Sequence, residues 1–415
     1  MGLLGGYDPE KTGQAALGIS IPAMKKSVNF VPFHRPWLGA EEIREVLAVL
    51  RSGWLTTGAR ARELERAMAE YIGCQHAVTV SSGTAALHLA MAAIGVGPGD
   101  EVITTPITFA STANVIALQG AKPVFVDVEP ETLNLDAQQI EPRISSRTKA
   151  ILPVHLYGQP CDMETVLRLA QKYHLLVAED AAHALGTEYR GRKVGNLGDL
   201  TCFSFYATKN ITTGEGGMVT TDREDLAAKV RLLSIHGITA DSWHRHGDGE
   251  FVHWDVIRPG YKYNLSDIQA ALGIHQLKKI EAFWQRRKRW VEMYDAALQE
   301  VSEIRLIPAK GDVKHAHHLY PILLKTEDLT VGRDAVLKAL KEAGVGVGVH
   351  FRALHLTSFY SKTFGFKPGD FPHAEYASER LLSLPLFPKM TGREVKRVIT
   401  QLKDTLHRAK KKKTF

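Results

Sequence analysis

One lysine in this chain sits where an amine could do covalent chemistry. The run Phe203-Ser204-Phe205-Tyr206-Ala207-Thr208-Lys209-Asn210-Ile211-Thr212-Thr213-Gly214-Glu215-Gly216-Gly217 places Lys209 in a polar, glycine-rich loop between two apolar stretches. An amine there could form an imine with an aldehyde cofactor, and Ser204 could donate to that cofactor's phosphate. A lysine met alone is more often a solvated surface group. Upstream, Leu175-Leu176-Val177-Ala178-Glu179-Asp180-Ala181-Ala182-His183 reads as an apolar strand ending in two acids. Asp180 could hold a pyridinium N–H, which keeps a ring drawing electrons from a carbanion, and His183 could contact that ring's phenolic oxygen. Asp180 reads equally well as a helix N-cap.

Two further segments could complete such a site. Ser81-Ser82-Gly83-Thr84 leaves a strand and opens a helix, where free N–H groups and hydroxyls converge on a place for a phosphate; an ordinary serine N-cap is the alternative. Phe109 follows a strand, at the end of an α/β sheet where ligands bind, and could stack on a planar ring or serve the core. No GxGxxG or GxxxxGK[ST] is present, so dinucleotide and P-loop readings lose their main support. His244, His246 and His253 have metal-like spacing, but Arg245, Asp248 and the glycines among them read as a loop that could cover a site, and no metal is expected.

These residues need a scaffold that brings strand ends together. Short β-branched runs alternate with helical stretches, the pattern of a parallel sheet covered by helices. Strands are expected at 77–80, 101–104, 123–126, 150–153, 176–178, 201–203 and 218–220, and helices at 84–94, 111–119, 163–173 and 223–234. A long helical pattern over 266–298 leads to a smaller α+β part with strands at 320–324 and 346–350. The expected organisation is an N-terminal extension over 1–30, a large domain over 31–275, a small domain over 276–408 and a basic tail over 409–415.

Composition narrows the function. The 415 residues are 44% hydrophobic and 23% charged, enough to bury large cores and too apolar for disorder. The formal charge of +7 could suggest nucleic acid, but Arg408, Lys410, Lys411, Lys412 and Lys413 carry five of those charges, and the near-neutral body argues against it. Cys74, Cys161 and Cys202 form no CxxC pair, which fits a reducing compartment. The longest uncharged stretch, 102–121, holds Pro106, Asn114 and Gln119 and makes a poor membrane span. A cytoplasmic location is expected.

The motifs SSGTAALH, PITFASTAN, PVHLYGQPCD, EDAAHALG, SFYATKNITTGEGG, GYKYNLSDIQAA and SLPLFP occur in order across 31–406. Through them the chain resembles the DegT/StrS family of pyridoxal-phosphate sugar aminotransferases, and through SGWLTTG, PGYKYNL and HFRALH it is most similar to the UDP-4-amino-4-deoxy-L-arabinose aminotransferase group. The resemblance implies the fold type I, aspartate aminotransferase-like architecture, with a mainly parallel seven-stranded sheet. It implies that Lys209 forms the Schiff base with pyridoxal 5'-phosphate, that Asp180 pairs with the ring nitrogen, and that His183 stands where many members have Gln. Gly83, Thr84 and Ser204 would bind the phosphate, Phe109 would cover one ring face, and Asn264 would reach the phosphate of a neighbouring subunit in a homodimer. Trp54, Thr56, Thr57, His350 and Arg352 would meet the nucleotide-linked ketosugar. L-Glutamate would donate the amino group and leave as 2-oxoglutarate. A dehydratase of the same fold would carry His in place of Lys209, and a catalytically silent relative need not keep Lys209, Asp180 and Ser204 together.

Overall fold

The computed structural model describes residues 30–239 and 253–411. The expected extension up to residue 29, His244, His246, Lys412 and Lys413 lie outside the described residues. All seven apolar runs of the first part become strands of one sheet: β1 (His76–Val80), β2 (Glu101–Thr104), β3 (Lys122–Phe125), β4 (Thr148–Ile151), β5 (Leu176–Asp180), and, after the short strands β6 (Glu188–Tyr189) and β7 (Arg192–Lys193) of a side sheet, β8 (Leu200–Ser204) and β9 (Gly217–Thr221). Their order is β1-β9-β8-β5-β4-β2-β3, and β9 alone runs against the rest. The carboxyl ends of the other six therefore share one edge of the sheet.

Helices supply the cover. They include α1 (Ala40–Ser52), α2 (Ala59–Ile72), α3 (Gly83–Ile94), α4 (Ala110–Leu118), α5 (Met163–Tyr173) and α6 (Glu224–Ser234). α3 is apolar on nearly every side and its buried Leu87, Leu89 and Met91 join Val102, Ala178 and Val219 in the main core, as expected of a helix enclosed by sheet and neighbouring helices. Ser82 caps it, its Oγ accepting from Ala85 N–H at 3.0 Å.

The long helical pattern divides at Lys279 into helices Asp267–Lys278 and Ile280–Leu298. Beyond it, the antiparallel strands β10 (Ile304–Leu306), β12 (Tyr320–Leu324) and β13 (Leu381–Leu384) form a small sheet, while β11 (Val313–Lys314) joins β6 and β7. The small sheet packs with Trp290, Tyr294, Leu402 and Leu406 in a second core. The strand expected at 346–350 is absent. That segment changes partner along its length: Gly346 N–H donates to Val31 at 2.8 Å, whereas Gly348 exchanges bonds with Ser383. One pairing on each side makes bridges and no ladder. The basic end is partly docked, with Lys410 paired to Glu303 and Lys411 Nζ donating to the Glu327 carbonyl at 2.8 Å.

One buried carboxylate ties distant parts of the chain together. Gly58 precedes α2 and has no side chain to cap it, and Asp267 does so from across the sequence: its Oδ1 accepts from the N–H groups of Gly58 (2.8 Å) and Ala61 (3.0 Å), and its Oδ2 from Arg60 (3.1 Å). Asp267→Ala leaves these donors without that acceptor at a helix end. We expect a loss of about 2–4 kcal/mol in urea unfolding; a change within experimental error would show that water replaces the carboxylate without cost.

Candidate active site

The strand ends meet at a cavity of about 450 Å³. The turn after β1 contributes Ser82, Gly83 and Thr84; the segment after β2 contributes Thr108, Phe109 and Ser111; β5 contributes Asp180, followed by Ala182 and His183; β8 contributes Ser204, followed by Tyr206, Thr208, Lys209 and Glu215. Phe33 and the C-terminal residues His318, Leu319, Val349, His350 and Phe351 close it.

The central strand shows why its acids differ. Successive residues of a strand face opposite sides. Glu179 accepts from His155 Nε2 (2.8 Å), Gly198 N–H (2.8 Å) and Thr201 Oγ1 (2.7 Å), so a fully buried carboxylate has its bonds. Asp180 faces the cavity. Its Oδ2 accepts from Thr112 Oγ1 at 2.7 Å and its Oδ1 from Ala182 N–H at 3.1 Å. No helix follows directly, so Asp180 closes a local turn and caps none.

Burial governs the electrostatics. It pushes the Asp180 carboxyl above its usual range, against the opposing pull of Thr112, Ala182 and the Lys209 charge. Burial also lowers the Lys209 amine to about 8, with the Asp180 charge acting in the other direction. His183 is held well below the usual imidazole range by burial and by Lys209, and His350 is lowered to about 4 by the same two causes.

Of the residues expected from sequence, Gly83, Thr84, Phe109, Asp180, His183, Ser204, Lys209 and His350 line this cavity. Phe109 is 61% exposed, its ring 6.1 Å from that of Phe351, so it is a wall and not core. Asn264, Trp54, Thr56, Thr57 and Arg352 are not in the lining. Asn264 Nδ2 donates to Thr57 Oγ1 at 2.6 Å, and its backbone bridges Val80 at the end of β1. His318, Phe33, Phe351 and Glu215 were not singled out from sequence. Glu215 lay within the lysine loop and could have been; His318 precedes an anticipated strand and carried no local sign of its place.

Pyridoxal phosphate fits these residues. A Cβ added to Gly83 would lie 2.7 Å from Ser204 Cβ, so only glycine lets the first turn of α3 press against the Ser204 end of β8. That approach sets helix N–H groups and two hydroxyl side chains, Thr84 and Ser204, at one corner, suited to a phosphate. An amine and a carboxylate complete the donor set. Together, sheet and cavity define a fold type I, pyridoxal-phosphate-dependent transferase.

Comparisons carry this further. A model of the DegT/DnrJ/EryC1/StrS aminotransferase family matches residues 36–403. The spore coat polysaccharide biosynthesis protein SpsC of Bacillus subtilis strain 168 is 46% identical over 382 residues, covering 92% of this chain and 98% of SpsC. Among solved structures, the PLP-form of Spr1654 from Streptococcus pneumoniae is 34% identical with a TM-score of 0.84, covering 91% of this chain and 99% of that one. Helicobacter pylori PseC, an aminotransferase involved in the biosynthesis of pseudoaminic acid, is 32% identical with a TM-score of 0.85, covering 92% of this chain and 100% of that one. The chain belongs to the DegT/DnrJ/EryC1/StrS aminotransferase family, and its cofactor is pyridoxal phosphate.

An amine lowered to about 8 is half unprotonated near that pH and more so above it. Labelling of Lys209 in the apo-protein by a small amine reagent, followed by peptide mass, is expected to be half-maximal near pH 8. Asp180→Asn removes the charge that raises the amine and is expected to move the profile to lower pH. A Lys209 profile centred near 10.5, the ordinary lysine value, would contradict the cavity's electrostatics.

Proposed function

We propose that the protein transfers the amino group of L-glutamate to the keto group of a nucleotide-linked 4-keto sugar, in a cytoplasmic route to surface polysaccharide. The observation that carries the reading is the convergence of Lys209, Asp180, Ser204 and the Gly83–Thr84 turn on one cavity. The sugar substrate class is supported by likeness to SpsC, named for spore coat polysaccharide, and to PseC, named for pseudoaminic acid. A UDP-linked 4-ketopentose and a 4-keto-6-deoxyhexose are the candidate acceptors; the two differ by a methyl group, worth only about 1–3 kcal/mol of discrimination in a pocket.

The cofactor, when bound, supplies the electron sink. The chain supplies the rest. Asp180 holds the proton on the ring nitrogen, while Ser204, Gly83 and Thr84 hold the phosphate. Phe109 covers one ring face and His183 donates to the phenolic oxygen. Lys209 Nζ, balanced between its protonation states near pH 8, moves the proton at the reacting carbon as base and then as acid. His350, stacked on Phe33 with centroids 5.2 Å apart, stands at the cavity wall for the sugar.

The same reading includes a homodimer with shared sites. α1 exposes Ile43 (59%), Leu47 (42%) and Leu50 (49%) at helical spacing. An exposed apolar stripe of this kind suits burial against a second copy. Asn264 lies outside its own chain's cavity and is bonded to Thr57, a short stretch of chain from α1, which suits a residue offered to a neighbour's cofactor.

Protein loaded with pyridoxal phosphate, reduced with borohydride and digested, is expected to carry the cofactor on the Lys209 peptide. Glutamate alone is expected to yield one equivalent of 2-oxoglutarate per site, and Lys209→Ala to abolish turnover with either substrate. A mark on another lysine, or glutamate inert in the loaded protein, would refute the reading. Ile43→Glu combined with Leu47→Glu is expected to give monomers by light scattering, with weaker cofactor retention. A dimer that survives both substitutions would place the interface elsewhere.

A further inference from the structure

Two imidazoles in the cavity have fixed and opposite hydrogen-bonding senses. His183 Nδ1 accepts from the Tyr157 N–H at 3.3 Å, so the ring's hydrogen is on Nε2. His318 is set the other way. Asn210 Nδ2 donates to the carbonyls of Leu185 (3.3 Å) and Ala316 (3.1 Å), which fixes the amide, and its Oδ1 receives His318 Nδ1–H at 2.9 Å. His318 therefore keeps a lone pair on Nε2.

The two rings lie 4.4 Å apart between centroids and both line the cavity. Burial, aided by the Lys209 charge, holds both neutral. One residue fixes the pair: while the Tyr157 N–H serves the His183 ring, its carbonyl accepts from the His318 main-chain N–H at 3.0 Å. Tyr157 does this at φ +59°, a left-handed conformation that a bulky residue adopts only where its surroundings impose it.

We propose that His183 and His318 form a donor–acceptor couple that reads one hydroxyl group, which accepts from His183 Nε2–H and donates to His318 Nε2, with Asn210 as the positioning residue that sets the couple's sense. A phosphate dianion or a carboxylate can only accept, so the His318 lone pair turns such groups away from this spot, within a cavity whose Gly83–Ser204 corner suits an anion. The inference rests on the aminotransferase reading above, in which two ligands bring a hydroxyl: the cofactor through its phenol, the group that reading gives to His183, and the sugar through its ring, whose hydroxyl would take the His183 N–H in the phenol's place.

The test uses cofactor-loaded His318→Leu and His318→Gln, with His318→Phe replacing the leucine variant if that does not fold. If the hydroxyl is the phenol, loss of the acceptor eases its ionisation, and the midpoint of the pH titration of the cofactor's absorption falls by about one pH unit. If it belongs to the sugar, KM for the nucleotide ketosugar rises about 3- to 10-fold while the spectrum and the glutamate half-reaction hold. The glutamine variant, which can present a carbonyl oxygen, is expected to recover most of either effect. An unchanged titration together with an unchanged KM in a folded, loaded apolar variant overturns the proposal. So does equal impairment in the glutamine and apolar variants, the mark of a packing role. Wild-type protein that takes up no cofactor, or leaves glutamate unconverted, would instead refute the function, so the two failures are distinguishable.

Discussion

The structure depends on a conflict between burial and charge at Lys209 and Asp180. Each is less stable as an ion in the cavity than in water, and each is favoured as an ion by the other's charge. Burial wins for both. That outcome makes the amine usable near neutral pH, where an exposed lysine would be locked as ammonium. It also makes the arrangement demanding, because a partly desolvated pair is held only by its other hydrogen bonds. Thr112 and Ala182 supply these for Asp180, and Thr112 is itself bonded to Thr108 at 2.8 Å, so the segment after β2 and the end of β5 are coupled through one carboxylate.

Support around the pair follows from strand geometry. Alternation along β5 sends Glu179 to the far face, where its donors fix it, and leaves Asp180 alone to meet the cavity. His155 contributes twice: its ring serves Glu179, and its main-chain N–H donates to the Asp180 carbonyl at 3.0 Å. On the lysine side the clamp is Asn210, whose amide joins the segments around Leu185, Ala316 and His318. The position of Lys209 is thus set by its neighbour's bonds to two other parts of the chain, around Leu185 and over 316–318.

What sequence made legible follows the range of the forces involved. The seven strands were readable because each is an apolar run closed by turn residues, and the lysine loop because β8 and β9 bracket it. Asp180 and Ser82 were readable in type, though only the structure separates their roles: Ser82 caps α3, and Asp180 caps nothing. The expected strand at 346–350 failed because its β-branched pattern ignores partners; Val31 bridges Val345 just before it, and Ser383 bridges Gly348 within it. His318 and Phe33 were hidden for the same reason. Their presence in the cavity is decided by packing of the C-terminal part and the 31–37 stretch onto the sheet, which no local pattern encodes.

The motif at 52–58 and that at 261–267 look independent in sequence and form one unit in space. Asp267 caps α2, Thr57 Oγ1 donates to the Leu265 carbonyl at 2.5 Å, Asn264 Nδ2 donates to Thr57, and Asp267 N–H donates to the Thr56 carbonyl at 3.1 Å. Between Gly53 and Gly58 and between Tyr261 and Ser266 the chain forms neither ladder nor helix, so these bonds are what hold the irregular backbone, whose polar groups need partners when buried. The unit also abuts the end of β1 through the Val80–Asn264 bridge, and Ser81 N–H donates to the Tyr263 carbonyl at 2.7 Å. The turn that carries Gly83 and Thr84 is therefore braced from outside by the same segment that carries Asn264. In the homodimer proposed above, a second copy docking against this surface would press on the support of the Gly83–Ser204 corner, so association and cofactor binding would be linked by contact and would not require a change in the sheet.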